Sequence, residues 1–264
     1  LAPGIAASAS LTSLNLARTQ LCGLDAYGRG TYNAEGITAI AGALRINAEL
    51  TKIDLGENHL GDEGTTVVCD ALKDSKVSKL KELVLSGNFI MIKGAESVAA
   101  YLAVTAALTS LNLSSNSFGS AGAKALAPTL VGIGSLTMLN LSSNCLGPSE
   151  AAAWAPTLAN AELTKISLGG NNLKDEGVTI VCDALRNSKV SKLNELELWG
   201  NNITITGAKS VAAYLAVTAS LTTLNLSNND LCGLDYRGRG TYTAEGIKAI
   251  ADALRVSAEL TKIS

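Results

Sequence analysis

Leu108-Thr109-Ser110-Leu111-Asn112-Leu113-Ser114-Ser115-Asn116-Ser117-Phe118-Gly119 carries the reading of the whole chain. Leu108, Leu111 and Leu113 are interleaved with Ser110, Asn112 and Ser114, so a short strand here has one apolar and one polar face. Residues 121–131 follow, rich in alanine and leucine with Leu126 and Leu130 at helical spacing, and predict a helix whose apolar side turns toward the strand. The pattern L-x-x-L-x-L, or a close variant, returns with first leucines at Leu11, Leu50, Leu80, Leu108, Leu136, Leu163, Leu193, Leu221 and Leu260. The steps between them are 39, 30, 28, 28, 27, 30, 28 and 39 residues. A period near 28 means copies of one strand–turn–helix unit stacked on each other.

The two halves of such a unit differ in width. Strands stack about 4.8 Å apart, whereas packed helices need about 8–10 Å. The expected architecture is therefore an α/β solenoid curved like a horseshoe, with a parallel β-sheet on the concave face and α-helices on the convex face. An asparagine stands eight residues past nearly every first leucine: Asn58, Asn88, Asn116, Asn144, Asn171, Asn201 and Asn229, with Thr19 breaking the series. A turn inside a stack removes backbone N–H and C=O groups from water. An amide side chain, both donor and acceptor, can satisfy several of them, so a continuous ladder of amides is expected.

L-x-x-L-x-L-x-x-N-x-L followed by a glycine and a helix resembles the leucine-rich repeat family, and the 28-residue period with a full helix resembles its ribonuclease-inhibitor-like subclass. That subclass also occurs in the recognition ends of NOD-like receptors and in Ran GTPase-activating proteins. The resemblance runs over essentially the whole chain. It implies the horseshoe fold and a protein-binding role, but function lives in sites placed on folds.

Composition agrees with a large core: 264 residues, 47% hydrophobic, formal net charge −2. That charge gives no global field for nucleic acid or an anionic membrane, and no apolar run approaches the ~20 residues that cross a bilayer. One domain over residues 1–264 is expected, with eight to nine repeats and no linker. Leu1-Ala2-Pro3 matches Leu126-Ala127-Pro128, and the last residues stop inside a strand motif. The expectation is a segment of a longer array, with apolar core exposed at Leu14, Leu16, Leu260 and Ile263 and end-to-end self-association through the terminal repeats. A longer duplication lies over the short period. Leu50 to Ala107 and Leu163 to Ser220, offset by 113, differ at 16 of 58 positions. Leu21 to Ile53 and Leu231 to Ile263 are related by an offset of 210.

Small polar residues dominate the exposed strand positions. Lys52 beside Glu82, and Lys165 beside Glu195, place opposite charges on neighbouring strands. Trp199 is the exception; its equivalent in the other copy is Ser86. Tryptophan is enriched among residues that carry binding energy, so Trp199, with Glu197 and Glu195, is a candidate partner contact, against an incidental exposed aromatic. Trp154 is expected to pack within a helix. Two repeats carry 11 extra residues (39 − 28) between strand and helix, with Gly28-Arg29-Gly30-Thr31-Tyr32 and Gly238-Arg239-Gly240-Thr241-Tyr242 in them. Insertions in solenoids map to one edge and often bind. Arg29, Tyr32, Arg239 and Tyr242 are candidate partner contacts there; an anion site and a purely structural flap are the alternatives.

Catalytic chemistry has little to work with. His59 is the single histidine and its counterpart is Asn172. Asp62-Glu63 and Asp175-Glu176 sit where a helix begins and favour its dipole. Cys22, Cys69, Cys145, Cys182 and Cys232 form no C-x-x-C, so no metal site is expected. Reduced thiols favour an intracellular, cytoplasmic setting. No catalytic residue and no cofactor are expected. Three function classes stand: a non-enzymatic protein–protein interaction scaffold, a GTPase-activating regulator, and a structural array within a larger assembly. The protein partner is not identified by the residues.

Overall fold

The structure is a computed structural model that describes residues 1–264 except 132, 236 and 258, and its internal contacts gather the chain into two compact units, Leu1–Leu139 and Asn140–Ser264. The first unit opens with α1 (Ala2–Ala7) and continues as β1 (Ser13–Asn15), α2 (Glu35–Ile46), β2 (Lys52–Asp54), α3 (Gly61–Asp74), β3 (Glu82–Val84), α4 (Ile92–Leu102), β4 (Ser110–Asn112) and α5 (Gly119–Val131). Strands β1 to β4 pair in sequence order, all parallel, with Ser13, Lys52, Glu82 and Ser110 in register. Each helix packs on the next. Strand β5 (Met138–Asn140) follows. The second unit contains α6 (Pro148–Asn160), β6 (Lys165–Ser167), α7 (Lys174–Asn187), β7 (Glu195–Glu197), α8 (Ile205–Leu215), β8 (Thr223–Asn225), α9 (Glu245–Leu254) and β9 (Lys262–Ile263). Its strands β6 to β9 are parallel, with Lys165, Glu195, Thr223 and Lys262 in register. Two antiparallel bridges, Leu24 with Gly30 and Leu234 with Gly240, lie in the inserted loops and not in the sheet.

The motif leucines form the core of each unit. Ile53, Leu55, Leu83, Leu85, Leu111 and Leu113 are buried in the first, as are Ile166, Leu168, Leu196, Leu198, Leu224 and Leu226 in the second. Trp154 of α6 is buried, as its helix position predicts. One expectation needs correction: Leu16 is only 7% exposed. Asn47 Nδ2 donates to the Ile5 carbonyl at 2.7 Å and ties α1 to the end of α2, with Ile5 buried, while Ser13 and Asn15 of β1 stay exposed. Ile263, by contrast, is 43% exposed.

Strands of three residues end where the amide ladder begins. Asn116 shows the wiring. Its Oδ1 accepts the N–H groups of Asn88 and Ile90, each at 3.0 Å, and its Nδ2 donates to the carbonyls of Leu85, Leu113 and Ser114. Asn171 and Asn229 do the same work in the second unit, accepting from Asn144 and Leu146 and from Asn201 and Ile203. Where Thr19 replaces asparagine, its hydroxyl donates to the Leu16 carbonyl and its N–H is met by Asn58 Oδ1. Left-handed backbone flanks these asparagines, as at Gly87 (φ 62°) and Phe89 (φ 57°).

The acidic pairs do more than favour their own helices. Asp62 Oδ1 accepts the N–H groups of Met91 and Gly94 at 2.8 and 2.9 Å, and so caps α4 from the preceding repeat. Asp175 caps α8 in the same way through Thr204 and Gly207. A carboxylate at a helix N-terminus satisfies orphan N–H groups and complements the dipole.

Candidate functional site

Trp199 leaves the end of β7 and lies over the preceding repeat. A Cβ on Gly169 would stand 2.1 Å from the indole Nε1, and one on Gly170 would stand 2.7 Å from the ring's far edge. Gly170 is also left-handed at φ 64°, so glycine is required there twice over. The ring is thus seated on bare backbone and half-buried. Beside it, Lys165 Nζ lies 2.6 Å from Glu195 and 3.7 Å from Glu197, so two carboxylates share one ammonium. The matching pair in the first unit, Lys52 and Glu82, is 2.7 Å apart. Glu195 and Glu197 thus open and close β7 around one ammonium, and Trp199 follows two residues beyond the strand.

The inserted loops are internally braced. In the first, Asp25 accepts the N–H groups of Tyr27 and Arg29, each at 2.9 Å, and its other oxygen holds the Arg29 guanidinium at 2.7 Å. The hydrogen bonds from Arg29 hold the Asp25 carboxyl below the usual carboxylate range. Arg29 also lies over the Tyr27 ring, 4.9 Å from its centroid. Tyr32 points inward and donates to the Leu60 carbonyl at 3.0 Å; burial, with the Cys22 thiol close by, pushes its hydroxyl up to about 12. The second loop repeats the brace, with Asp235 and Arg239 2.6 Å apart. Tyr242, the equivalent of Tyr32, is 66% exposed. Both arginines are engaged by an aspartate of their own loop, which leaves the anion reading little to build on.

Sequence patterns did not mark a third feature. In the first unit a groove of about 650 Å³ runs along the strand-exit turns, bounded by Arg18, Glu57, His59, Phe89 and Ser114 and by Leu24 of the inserted loop. His59 and Phe89 stack there with ring centroids 4.9 Å apart. The signal was available in outline: both residues follow a ladder asparagine, 30 positions apart, and so are neighbours in the stack.

Sequence and structure comparisons fit this geometry. Two family models, each described as Leucine Rich Repeat, match, one over residues 47–69, 107–127 and 159–180 and the other over 220–237. Human NACHT, LRR and PYD domains-containing protein 14 is 30% identical over 218 residues, 82% of this chain and 19% of that protein. Mouse ribonuclease inhibitor is 30% identical over 214 residues, 80% of this chain and 45% of that one. The chain is a leucine-rich repeat protein of the ribonuclease-inhibitor-like kind. It spans about a fifth of the first relative's length and under half of the second's. The leucine-rich repeat-containing protein LegL7 from Legionella pneumophila shares the fold, with a TM-score of 0.56 at 18% identity, covering 99% of this chain and 85% of that one.

The duplications account for four of the five cysteines, all but the exposed Cys145. Cys69 and Cys182 occupy the same helical position in the two copies of the block and are buried; burial pushes both thiols up to about 12. Such thiols are poor nucleophiles. Among the described residues no group of three or more histidine, cysteine, aspartate and glutamate side chains is placed to hold a metal ion. No helix of the described residues is long and apolar enough to cross a membrane.

Proposed function

We propose that this leucine-rich repeat protein is a non-enzymatic recognition module that grips a protein partner through the Trp199 end of β7. One observation carries the reading: a tryptophan already seated on Gly169 and Gly170, with one ammonium shared by two carboxylates beside it. A pre-seated aromatic loses little rotamer freedom on binding, and such residues anchor interfaces. The surplus carboxylate favours a partner with basic residues around an apolar pocket. Tyr242 extends the contact region on the inserted loop, while Arg29, Arg239 and Tyr32 hold the loops in shape. By its name one relative inhibits ribonuclease, which fits action by binding another protein. The unpaired thiols support an intracellular setting.

Trp199→Ser installs the residue that the equivalent position already carries, so the fold should persist. Affinity purification with quantitative mass spectrometry on the wild-type chain and this variant is the test. Proteins retained by the wild type should fall at least about tenfold with the variant, as for a central aromatic anchor. Equal recovery would remove Trp199 from the interface.

A second copy is a further candidate partner, favoured by one observation. The second unit has an apolar recess of about 470 Å³ lined by Leu226, Leu231, Ile247, Ile250, Leu254 and Ile263. Exposed strand edges beside apolar surface recruit what fits them. Sedimentation velocity across a concentration series should show self-association that Ile263→Glu abolishes; a monomer at all concentrations would count against it.

A further inference from the structure

The two copies of the duplicated block are built on the same turns but finish them differently. In the second, Asn202 has left-handed backbone at φ 56° and its Nδ2 donates to Asn172 Oδ1 at 2.9 Å. In the first, the equivalent residues are Phe89 and His59. Phe89 keeps the left-handed backbone of Asn202, at φ 57°, and His59 takes it at φ 56° where Asn172 does not; asparagine is tolerated there and a bulky aromatic is strained. The strain brings no compensating burial, because Phe89 is 58% exposed. Two residues on, the first copy has exposed Met91 where the second has Thr204, whose hydroxyl donates to Asp175. Polar side chains that satisfy one another in the second copy are matched in the first by two left-handed aromatic residues, His59 and Phe89, and by the exposed side chains of Phe89 and Met91. Backbone strain and exposed aromatics that do nothing for the fold mark a binding surface.

The groove beside this stack states the occupant's shape. It follows the exit turns of four consecutive repeats, from Arg18 through Glu57 and Ser86 to Ser114 and Ser115. Three strand spacings of about 4.8 Å make it roughly 14 Å long. That is the reach of four or five residues of extended chain at ~3.3 Å each. Its charge is balanced internally: Arg18 Nε and Nη2 donate to the two Glu57 oxygens at 2.8 and 2.7 Å. The pair carries no net charge, so it offers an ion of either sign little net attraction. The serine hydroxyls along the groove can meet a peptide backbone, and the His59–Phe89 rings offer a face for an aromatic side chain.

We propose that this groove binds an extended, uncharged peptide segment of a partner protein, four or five residues long, with an aromatic side chain laid against the His59–Phe89 stack. The proposal goes beyond the Trp199 reading and uses none of its residues.

The test is selection from a displayed library of random heptapeptides on the wild-type chain, after depletion on the double variant His59→Asn/Phe89→Asn. That variant restores the pair found at Asn172 and Asn202, so its folding is expected, and an unchanged circular dichroism melt or a higher one checks it. Enriched peptides should carry an aromatic residue with uncharged neighbours, and should bind the double variant at least about tenfold more weakly. Their affinity for Trp199→Ser should match wild type, which keeps this outcome separate from the strand-end reading. Enrichment of basic or acidic peptides, loss of binding in Trp199→Ser, equal binding to the double variant, or no enrichment would each overturn the proposal.

Discussion

Replacing Asn116 with alanine is expected to lower the unfolding free energy by about 4 kcal/mol, read from chemical denaturation. The substitution deprives the buried N–H groups of Asn88 and Ile90 of their acceptor, and the Leu85 carbonyl of the Asn116 amide. Each buried polar group left without a partner costs about 1–3 kcal/mol. A comparison within the same repeat separates this effect from the loss of any asparagine. Asn112, on the polar face of β4, accepts from the Ser114 N–H at 2.9 Å and is only part-buried. Asn112→Ala should cost about 1 kcal/mol or less. Similar losses from the two variants would mean that the ladder amide is not what holds the turn.

Alkaline conditions should weaken the fold well before they damage it chemically. Burial pushes the thiols of Cys69 and Cys182 up to about 12, whereas a thiol in the unfolded chain titrates near 8.5. Their contribution is therefore complete below about pH 8.5. Above that, the unfolded chain gives up protons that the folded chain keeps, and stability falls as pH rises toward 12. At about 1.4 kcal/mol per pH unit for each thiol, the pair should account for roughly 4–5 kcal/mol between pH 8 and pH 10.5. Urea midpoints measured over that range test this. In Cys69→Ala/Cys182→Ala the decline should become much shallower, with Cys22, whose thiol burial also pushes up, still contributing above about pH 8.5 and Tyr32, pushed up to about 12, adding to it from about pH 10. A double variant with the wild-type profile would assign the pH dependence elsewhere.

Much of the fold was legible because the repeat states it many times. Leu108, Leu111 and Leu113 imply one buried strand face, and the parallel register of Lys52 with Glu82 and of Lys165 with Glu195 follows from aligning the motif. The asparagine ladder was legible for the same reason. An amide at a fixed position in a stacked turn has few other tasks, and the bonds from Asn88 to Asn116 carry that one out. The strand-end site was half legible. Trp199 stood out as unmatched, but only the backbone places its ring across Gly169 and Gly170. The loop arginines stay exposed, and the sequence did not show that the turn also folds Asp25 back on Arg29. The His59–Phe89 groove was legible only in outline: the repeat makes the two residues neighbours, but phenylalanine gives no hint of left-handed backbone or of the groove beside the rings.

The ladder also has a direction. Within each unit the amide oxygen accepts from the turn of the preceding repeat, as Asn116 does from Asn88 and Asn88 from Asn58 in the first and Asn229 does from Asn201 in the second. No turn can complete its own bonding; it waits for its successor. Because synthesis proceeds from the N-terminus, every new turn leaves the ribosome with unmet N–H groups and keeps them until one more repeat, 28 residues in the case of Asn88 and Asn116, has emerged. Folding of this chain during translation therefore trails synthesis by one repeat, and a pause at a repeat boundary would hold the newest turn open.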